Sequence, residues 1–438
     1  MKNFQYSLFY DIQAIIRASD FHRKYSLIFE SLDLTGFPDK NYGVGRSGYS
    51  RRAILKALIV KNLEEIKSIP RLIEFLDVHP VLAEMCGFRM GVIPDESQFY
   101  RFQQTIPNSK IENILIKINR KLVREGIVSL NTFIIDSKPV MAATQENNFK
   151  NPNRNTRNKK KKQKRNPTAT LGYYSYQKMP GRKDNYMFFW GYRTHVIVSK
   201  EGIPLVETTL PNNVTDAKVA RKLIRKLKRV FRFKKGAIFI ADAAYDEREL
   251  YNLIVDELKC RAFIPLNSRN KQNDKTFGPN GCPLCDAGLE MKSNGIWTET
   301  FRKRAKFRCP IKTNRKIAQK YPEGCPIANP KFIEGKKYGC TKYRDITDDA
   351  RANVPRDTEY FKKIYNIRTE VERYFARLGD REVEKTTHYK LRSVQNQMSI
   401  AHLSMSLVAY ATASLLKHTE KIRCYRTFAK IPIERKAV

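Results

Sequence analysis

The stretch "IFIADAAYD" (residues 238–246) decides the fold. Its apolar run, Ile238-Phe239-Ile240-Ala241, predicts a strand buried on both faces of a sheet. The run stops at Asp242, which places a carboxylate at the mouth of the core. Asp242 is either an ordinary turn residue or a metal ligand, and the stretch alone leaves both open. The small residues after it predict a tight turn, with Asp246 and Glu249 opening the next helix at capping-box spacing.

The neighbouring segments extend this reading. Upstream, "TFIIDSKPV" (132–140) is a short β-rich run that ends in Asp136. "FFWGYRTHVIVS" (188–199) and "IPLVETTL" (203–210) alternate like strands. "TDAKVARKLIRKLKRV" (215–230) is an amphipathic helix that starts at Thr215 or Asp216. "RAFIPL" (261–266) reads as a further strand. Strands first, then strands alternating with helices, predict a mixed α/β sheet.

Residues 1–125 read as helical, with Ile54, Leu55, Leu58, Ile59, Leu63 and Ile66 at helical spacing and breaks at Pro70 and Pro80. Residues 126–270 hold the sheet, and 271–355 form an insertion of poor periodicity that is rich in Gly, Asn, Lys and Cys. Residues 356–438 return to helices, beginning with "FKKIYNIRTEVERYFARL". The most apolar stretch, 398–416, carries His402 and several hydroxyl residues, which favours a core helix over a membrane span.

The charge balance is extreme. The chain of 438 residues has 83 Lys and Arg against 44 Asp and Glu, a formal net charge of +39. Such a surface repels itself unless a polyanion neutralises it, and nucleic acid is the expected partner. The loop "KNPNRNTRNKKKKQKRNPT" (150–168), with Lys159, Lys160, Lys161 and Lys162 at its centre, is the first candidate for phosphate contact. No secretory leader opens the sequence, so a cytoplasmic, nucleoid-associated protein is expected.

Two strands ending in Asp136 and Asp242 bring two carboxylates close together, and these repel unless cations separate them. Mg²⁺ suits such oxygen ligands, and phosphodiester chemistry uses two ions about 3.5–4 Å apart. A third acid stands in the helix after the insertion. Tyr365, Arg368 and Glu372 are spaced to share one helical face. Glu370 is a competing acid there.

In this order the segments resemble the DDE transposases of bacterial insertion sequences. "YNIRTEVERYFARL" resembles the helix of the Tyr-Arg-Glu-Lys signature, and the segments around Asp136 and Asp242 resemble the first two catalytic strands. The resemblance implies an RNase H-like mixed-sheet catalytic domain behind an all-α N-terminal DNA-binding domain. It implies Asp136, Asp242 and Glu372 as catalytic acids holding two Mg²⁺, with Mn²⁺ as surrogate, and Tyr365 and Arg368 as terminal phosphate contacts. The chain departs from the signature at its Lys, where Gly379 stands, so that DNA-end contact is either lost or supplied by Arg377 or Lys385. The implied function is cut-and-paste DNA transposition by a dimer on DNA. A nuclease without strand transfer and a non-catalytic DNA binder are the alternatives.

The chain has eight cysteines. "GCPLCDAG" sets Cys282 and Cys285 in CxxC spacing, and with Cys309 and Cys325 they read as a zinc knuckle, Cys340 being a substitute ligand. Cys86, Cys260 and Cys424 read as core residues. Trp297 either packs the insertion's core or, as transposases of this architecture imply, stacks on an extruded DNA base.

Overall fold

The computed structural model describes residues 11–39, 48–89, 92–148, 166–176, 185–267, 277–335, 337–347, 350–381 and 383–416. Cys424 and the Lys159–Lys162 run lie outside the described residues.

The N-terminal helices form where caps and apolar stripes coincide. They are α1 (Ile12–Ala18), α2 (Asp20–Ser31), α3 (Arg51–Leu63), α4 (Ile69–Val78), α5 (Pro80–Cys86), α6 (Glu96–Thr105) and α7 (Asn108–Arg124). Ser50 and Asp95 cap α3 and α6 by accepting from the amides of Ala53 and Ser97. Pro70 and Pro80 sit in the first turns of α4 and α5, where the missing N–H costs nothing. The buried stripe of α7, including Ile111, Ile114, Leu115, Ile118 and Leu122, packs on the sheet.

The main sheet contains β1 (Thr132–Ala142), β2 (Thr170–Tyr176), β3 (Asn185–Ser199), β4 (Pro204–Pro211), β5 (Ile238–Ala241) and β6 (Arg261–Phe263). Its path runs β2-β3-β1-β5-β6, with β4 also paired to β3. β3 is one long strand, antiparallel to β1, β2 and β4, whereas β5 runs parallel to both β1 and β6. The sheet is therefore mixed, as expected. α8 (Asp216–Val230) covers it with a stripe of Ala220, Leu223, Ile224 and Leu227, and the short α9 (Arg248–Asn252) follows β5.

The insertion builds a separate three-stranded antiparallel sheet from β7 (Lys292–Thr298), β8 (Lys303–Arg308) and β9 (Thr341–Asp345). The small helices α10 (Pro310–Thr313), α11 (Arg315–Lys320) and α12 (Pro330–Glu334) lie between β8 and β9. Its core cluster is Cys282, Met291, Ala305, Phe307 and Ile346. The N-terminal helices and the main sheet instead share one continuous core.

After the insertion come α13 (Glu359–Tyr365), α14 (Thr369–Gly379), the two-residue β10 (Lys385–Thr386) and α15 (Leu391–Leu416). α15 is long and apolar enough to cross a membrane, but 83% of its apolar window is buried in the protein. It packs against α2, α3, α6, α7 and β4. The hydroxyls of Ser404 and Thr412 donate to the carbonyls of Ile400 and Val408 one turn back, so their burial leaves no unmet donor. His402 lies between Thr194 and Tyr374, and burial pushes its imidazole down to about 3. It is a neutral core residue.

Three local expectations are corrected. β1 does not stop at Asp136: it runs six residues further because β3 pairs with it on to Met141 and β10 joins its other edge at Met141 and Ala142. Asp246 does not cap α9, whose N-cap is Glu247. Buried Asp246 instead takes both nitrogens of Arg351 at 2.5 and 2.6 Å and the amide of Asn267 at 2.8 Å. The segment 361–378 is not one α-helix, since a 3₁₀ turn at Asn366–Arg368 separates α13 from α14.

Candidate active site

The first acid is set by strand register. Ile135 pairs with Ala241, so Asp136 stands one residue beyond the last β1–β5 pair, and Asp242 follows the end of β5 directly. Because β5 stops there, β1 loses its neighbour on that edge. The vacated edge faces α14 and the turn before it. A side chain from that turn enters the space.

That side chain is Arg368. Its Nη2 lies 3.4 Å from Asp136 Oδ2 and 4.0 Å from Asp242 Oδ2, and its Nη1 lies 2.5 Å from Glu372 Oε1. All three acids therefore converge on one guanidinium. Glu372 is reached at i+4, so the break between α13 and α14 leaves that contact intact. Glu370 is not part of the group: it is buried and pairs with Arg373.

The remaining carboxylate oxygens are used locally. Asp136 Oδ1 accepts from the Ser137 amide at 2.8 Å. Asp242 Oδ1 accepts from the Ala244 amide at 2.9 Å, capping a 3₁₀ turn. Asp242 is thus a turn residue through one oxygen and a site residue through the other. Burial, and next the Asp242 charge, push the Asp136 carboxyl up to about 7, against the opposing pull of Arg368.

A fourth acid was not anticipated in this role. Asp216, at the start of α8, lies 3.5 Å from Arg193 Nη1 and accepts from Ser137 Oγ at 3.4 Å. Its carboxyl is raised by burial, with Arg193 opposing and Asp242 adding. His195 Nδ1 stands 3.7 Å away, and burial followed by Arg193 drives that imidazole down to about 3, so it is neutral. Buried Tyr245 completes this layer, its phenol held well above the usual range by burial and then by Asp216, Asp136 and Asp242. The helix pattern marked Asp216 only as an N-terminal residue. Its partners on β1 and β3 come from folding.

Tyr365 is half-buried and stacks on Phe361 with ring centroids 5.8 Å apart. Burial raises its phenol, and Arg368 is the largest opposing influence. Arg377 does not fit the role expected of it. It is buried, and its Nη2 donates to the Gly202 carbonyl at 3.3 Å in the β3–β4 turn. It points into the protein because Gly202, at φ +79°, has no Cβ to fill the space that the guanidinium occupies. Lys385 is exposed on β10. Lys138, two residues after Asp136, reaches the space beside Gly379: its Nζ pairs with Glu384 at 2.9 Å and would lie 3.7 Å from a Cβ at position 379.

The donor chemistry of the three carboxylates fits a hard divalent cation. All offer oxygen, and Asp242 adds to the burial that raises the Asp136 carboxyl. Yet among the described residues no group of three or more His, Cys, Asp or Glu side chains is arranged to hold a metal ion. Arg368 stands at the point of convergence. The same holds for the expected zinc knuckle. Cys282 is buried in the insertion's core with Met291 and Phe307, and Cys285 packs against that cluster. Trp297 is 58% exposed on β7 and is absent from that core, so it does not pack the insertion.

Comparison with known proteins identifies the family. The family described as Transposase DDE domain matches residues 129–407, and that described as Transposase domain (DUF772) matches residues 10–105. No curated protein matches. Among solved structures, the chain is similar to piggyBac transposase in a synaptic complex with hairpin DNA, with 9% identity, TM-score 0.37, and 92% of this chain and 78% of that one covered. It is also similar to Mos1 transposase in a paired-end complex, with 14% identity, TM-score 0.17, and 51% and 61% covered. The match over residues 129–407 spans well over half of the chain and contains Asp136, Asp242, Arg368 and Glu372. The chain belongs to the DDE transposases of the insertion-sequence type.

Proposed function

We propose that this transposase binds the terminal repeats of an insertion sequence and carries out metal-dependent strand cleavage and strand transfer, as a dimer on DNA in the cytoplasm. The convergence of Asp136, Asp242 and Glu372 on Arg368 carries the reading. The mixed sheet supports an RNase H-like catalytic domain over 126–270 and 356–438. In this division 1–125 is the DNA-binding domain and 271–355 the insertion.

Asp136, Asp242 and Glu372 would hold Mg²⁺, which supplies Lewis-acid activation of the attacking oxygen and neutralisation of the departing one. The protein's own groups do the rest. Arg368 holds the three acids in place before DNA arrives, and the same guanidinium suits a bidentate grip on a phosphate. Tyr365 offers a phenol beside it. Asp216, Arg193 and Ser137 fix the β1 backbone behind Asp136. Lys138 supplies beside Gly379 the cation that the signature places there. Lys138→Ala should weaken binding to the terminal repeat about tenfold, and Lys138→Arg should retain it. Equal affinity in all three proteins, measured by fluorescence anisotropy, would remove Lys138 from the interface.

The deciding experiment incubates the protein with labelled terminal-repeat DNA, a target plasmid and Mg²⁺. Cleaved ends joined to the plasmid support a transposase. Cleavage without joining supports a nuclease. Binding without cleavage supports a DNA-binding protein, the reading that Gly379 favours.

A further inference from the structure

Glu372 is the most exposed of the three acids, its side chain 56% exposed against 13% for Asp136 and 33% for Asp242. Strand register fixes Asp136 and Asp242, whereas Glu372 hangs from the first turn of α14. Its place is therefore the place of that helix. The buried face of α14 includes Val371, Tyr374, Phe375 and Leu378. Apolar packing sets how deep such a face sinks, but it is non-directional and fixes rotation and sliding poorly. Directional bonds do that.

At the far end of α14, Arg377 donates to the Gly202 carbonyl at 3.3 Å. Nearer Glu372 the bond belongs to Tyr374, two residues on and about 200° round the helix. Its hydroxyl meets His402 Nδ1, and His402 Nε2 lies 2.9 Å from Thr194 Oγ1. The Tyr374 and His402 rings stack 10° from parallel, with centroids 6.0 Å apart. All three side chains are fully buried, so water does not stand in for any of them. A neutral imidazole carries one N–H and one bare nitrogen. That matches two hydroxyls, each of which can donate or accept.

This bridge joins the supports of two acids. Tyr374 belongs to the helix of Glu372. Thr194 lies on β3 opposite Lys138, two residues after Asp136 on β1. The ring itself comes from α15, which is pinned earlier along its length. Ser399 donates to Glu207 on β4 and accepts from Asn108 on α7 at 2.7 Å. Asn396 donates to the carbonyls of Gln103 and Ile106 at 2.8 and 2.9 Å. His402 is thus a fixed post between the strands that set Asp136 and the helix that carries Glu372. We propose that His402 is a positioning residue for Glu372, holding α14 at one height and rotation against β3. The inference rests on Glu372 being the third acid, and it gives His402 no contact with DNA, metal or the reacting atoms.

The test uses full-length wild type, Tyr374→Phe, His402→Phe, their double variant, and Leu76→Ala, a core truncation in the N-terminal helices that lowers stability away from α14. Hydrogen exchange is read first, in metal-free protein without DNA. The amides of 369–379 should exchange about tenfold faster in Tyr374→Phe and His402→Phe, and as in wild type in Leu76→Ala. The double variant should match His402→Phe, because one substitution already severs the bond. With saturating terminal-repeat DNA and Mg²⁺, single-turnover cleavage should fall on the order of 10–100-fold in both single variants, with Kd for the repeat within about twofold of wild type. Unchanged exchange in α14 overturns the inference. Faster exchange with an unchanged cleavage rate also overturns it, since the bond then serves stability alone, and so does an equal effect in Leu76→Ala. Should His402→Phe fail to fold, Tyr374→Phe, which removes a single oxygen, decides. A wild type that binds the repeats without cutting them fails the proposed function, and the exchange result then decides this inference by itself.

Discussion

The end of the main sheet and the insertion hold their polar groups in opposite ways. At the sheet end a large shared core fixes β1 and β5, and the acids are then placed against one another at a cost. In the insertion five buried residues form the core, beside a small three-stranded sheet. A big core can tolerate like charges in one place, whereas a small core has little apolar burial with which to offset them.

The sharpest way to break this comparison is to remove the acids. Asp136→Asn, Asp242→Asn or Glu372→Gln should each cut strand cleavage on the order of 10⁴-fold while leaving terminal-repeat binding intact. Cleavage at more than a tenth of the wild-type rate in any one variant strikes that residue from the site.

Truncation of core residues sharpens it next. Phe239→Ala, in the shared core, should cost about 3–5 kcal/mol and lower the main melting transition. Phe307→Ala should loosen the insertion alone, seen as faster hydrogen exchange in β7–β9 with the main transition unmoved. If both substitutions shift the same transition equally, the two regions are one cooperative unit.

The cost at the sheet end has a pH signature. The Asp136 carboxyl sits near 7 in the folded chain against about 4 when unfolded. Between those values the folded state keeps a proton that the unfolded state has released, so stability falls as pH rises through that window and stays reduced above it. Asp136→Asn escapes the loss. In metal-free buffer it should melt higher than wild type at pH 8, by about 1–4 kcal/mol, and the gain should vanish near pH 4. A wild type that is more stable than the variant at pH 8 contradicts the raised carboxyl. The smallest effect is expected at Trp297. Because it is exposed, Trp297→Ala should change stability by no more than about 0.5 kcal/mol while weakening any base stacking. A larger loss of stability would return Trp297 to a packing role.

Much of this was legible in the sequence, because periodicity reports which face of an element meets a core. The strands around Asp136 and Asp242 and the α8 stripe follow from it, while the buried nature of α15 follows from His402 and the hydroxyls within its apolar run. Partners distant in sequence do not. Asp246 has good spacing for a cap, but Arg351 gives it a stronger, charged bond that no local pattern contains. Asp136 reads as a strand end because its apolar run ends there. The strand continues because β3 and β10 supply backbone partners whatever the side chains are. Arg377 carries a surface residue's charge into the interior because one glycine leaves it room.

The position of Glu372 also has a consequence in time. Asp242 and Glu372 are 372 − 242 = 130 residues apart, with the whole insertion between them. A ribosome adding about 5–20 residues per second needs roughly 7–26 s to cross that gap. Throughout it the growing chain has two of its three acids and lacks Arg368, β10 and the helix α15 that packs against the N-terminal helices. A product truncated anywhere in that interval carries the basic N-terminal half without a complete set of acids. Synthesis order therefore leaves the group of Asp136, Asp242 and Glu372 incomplete until the segment after the insertion is made.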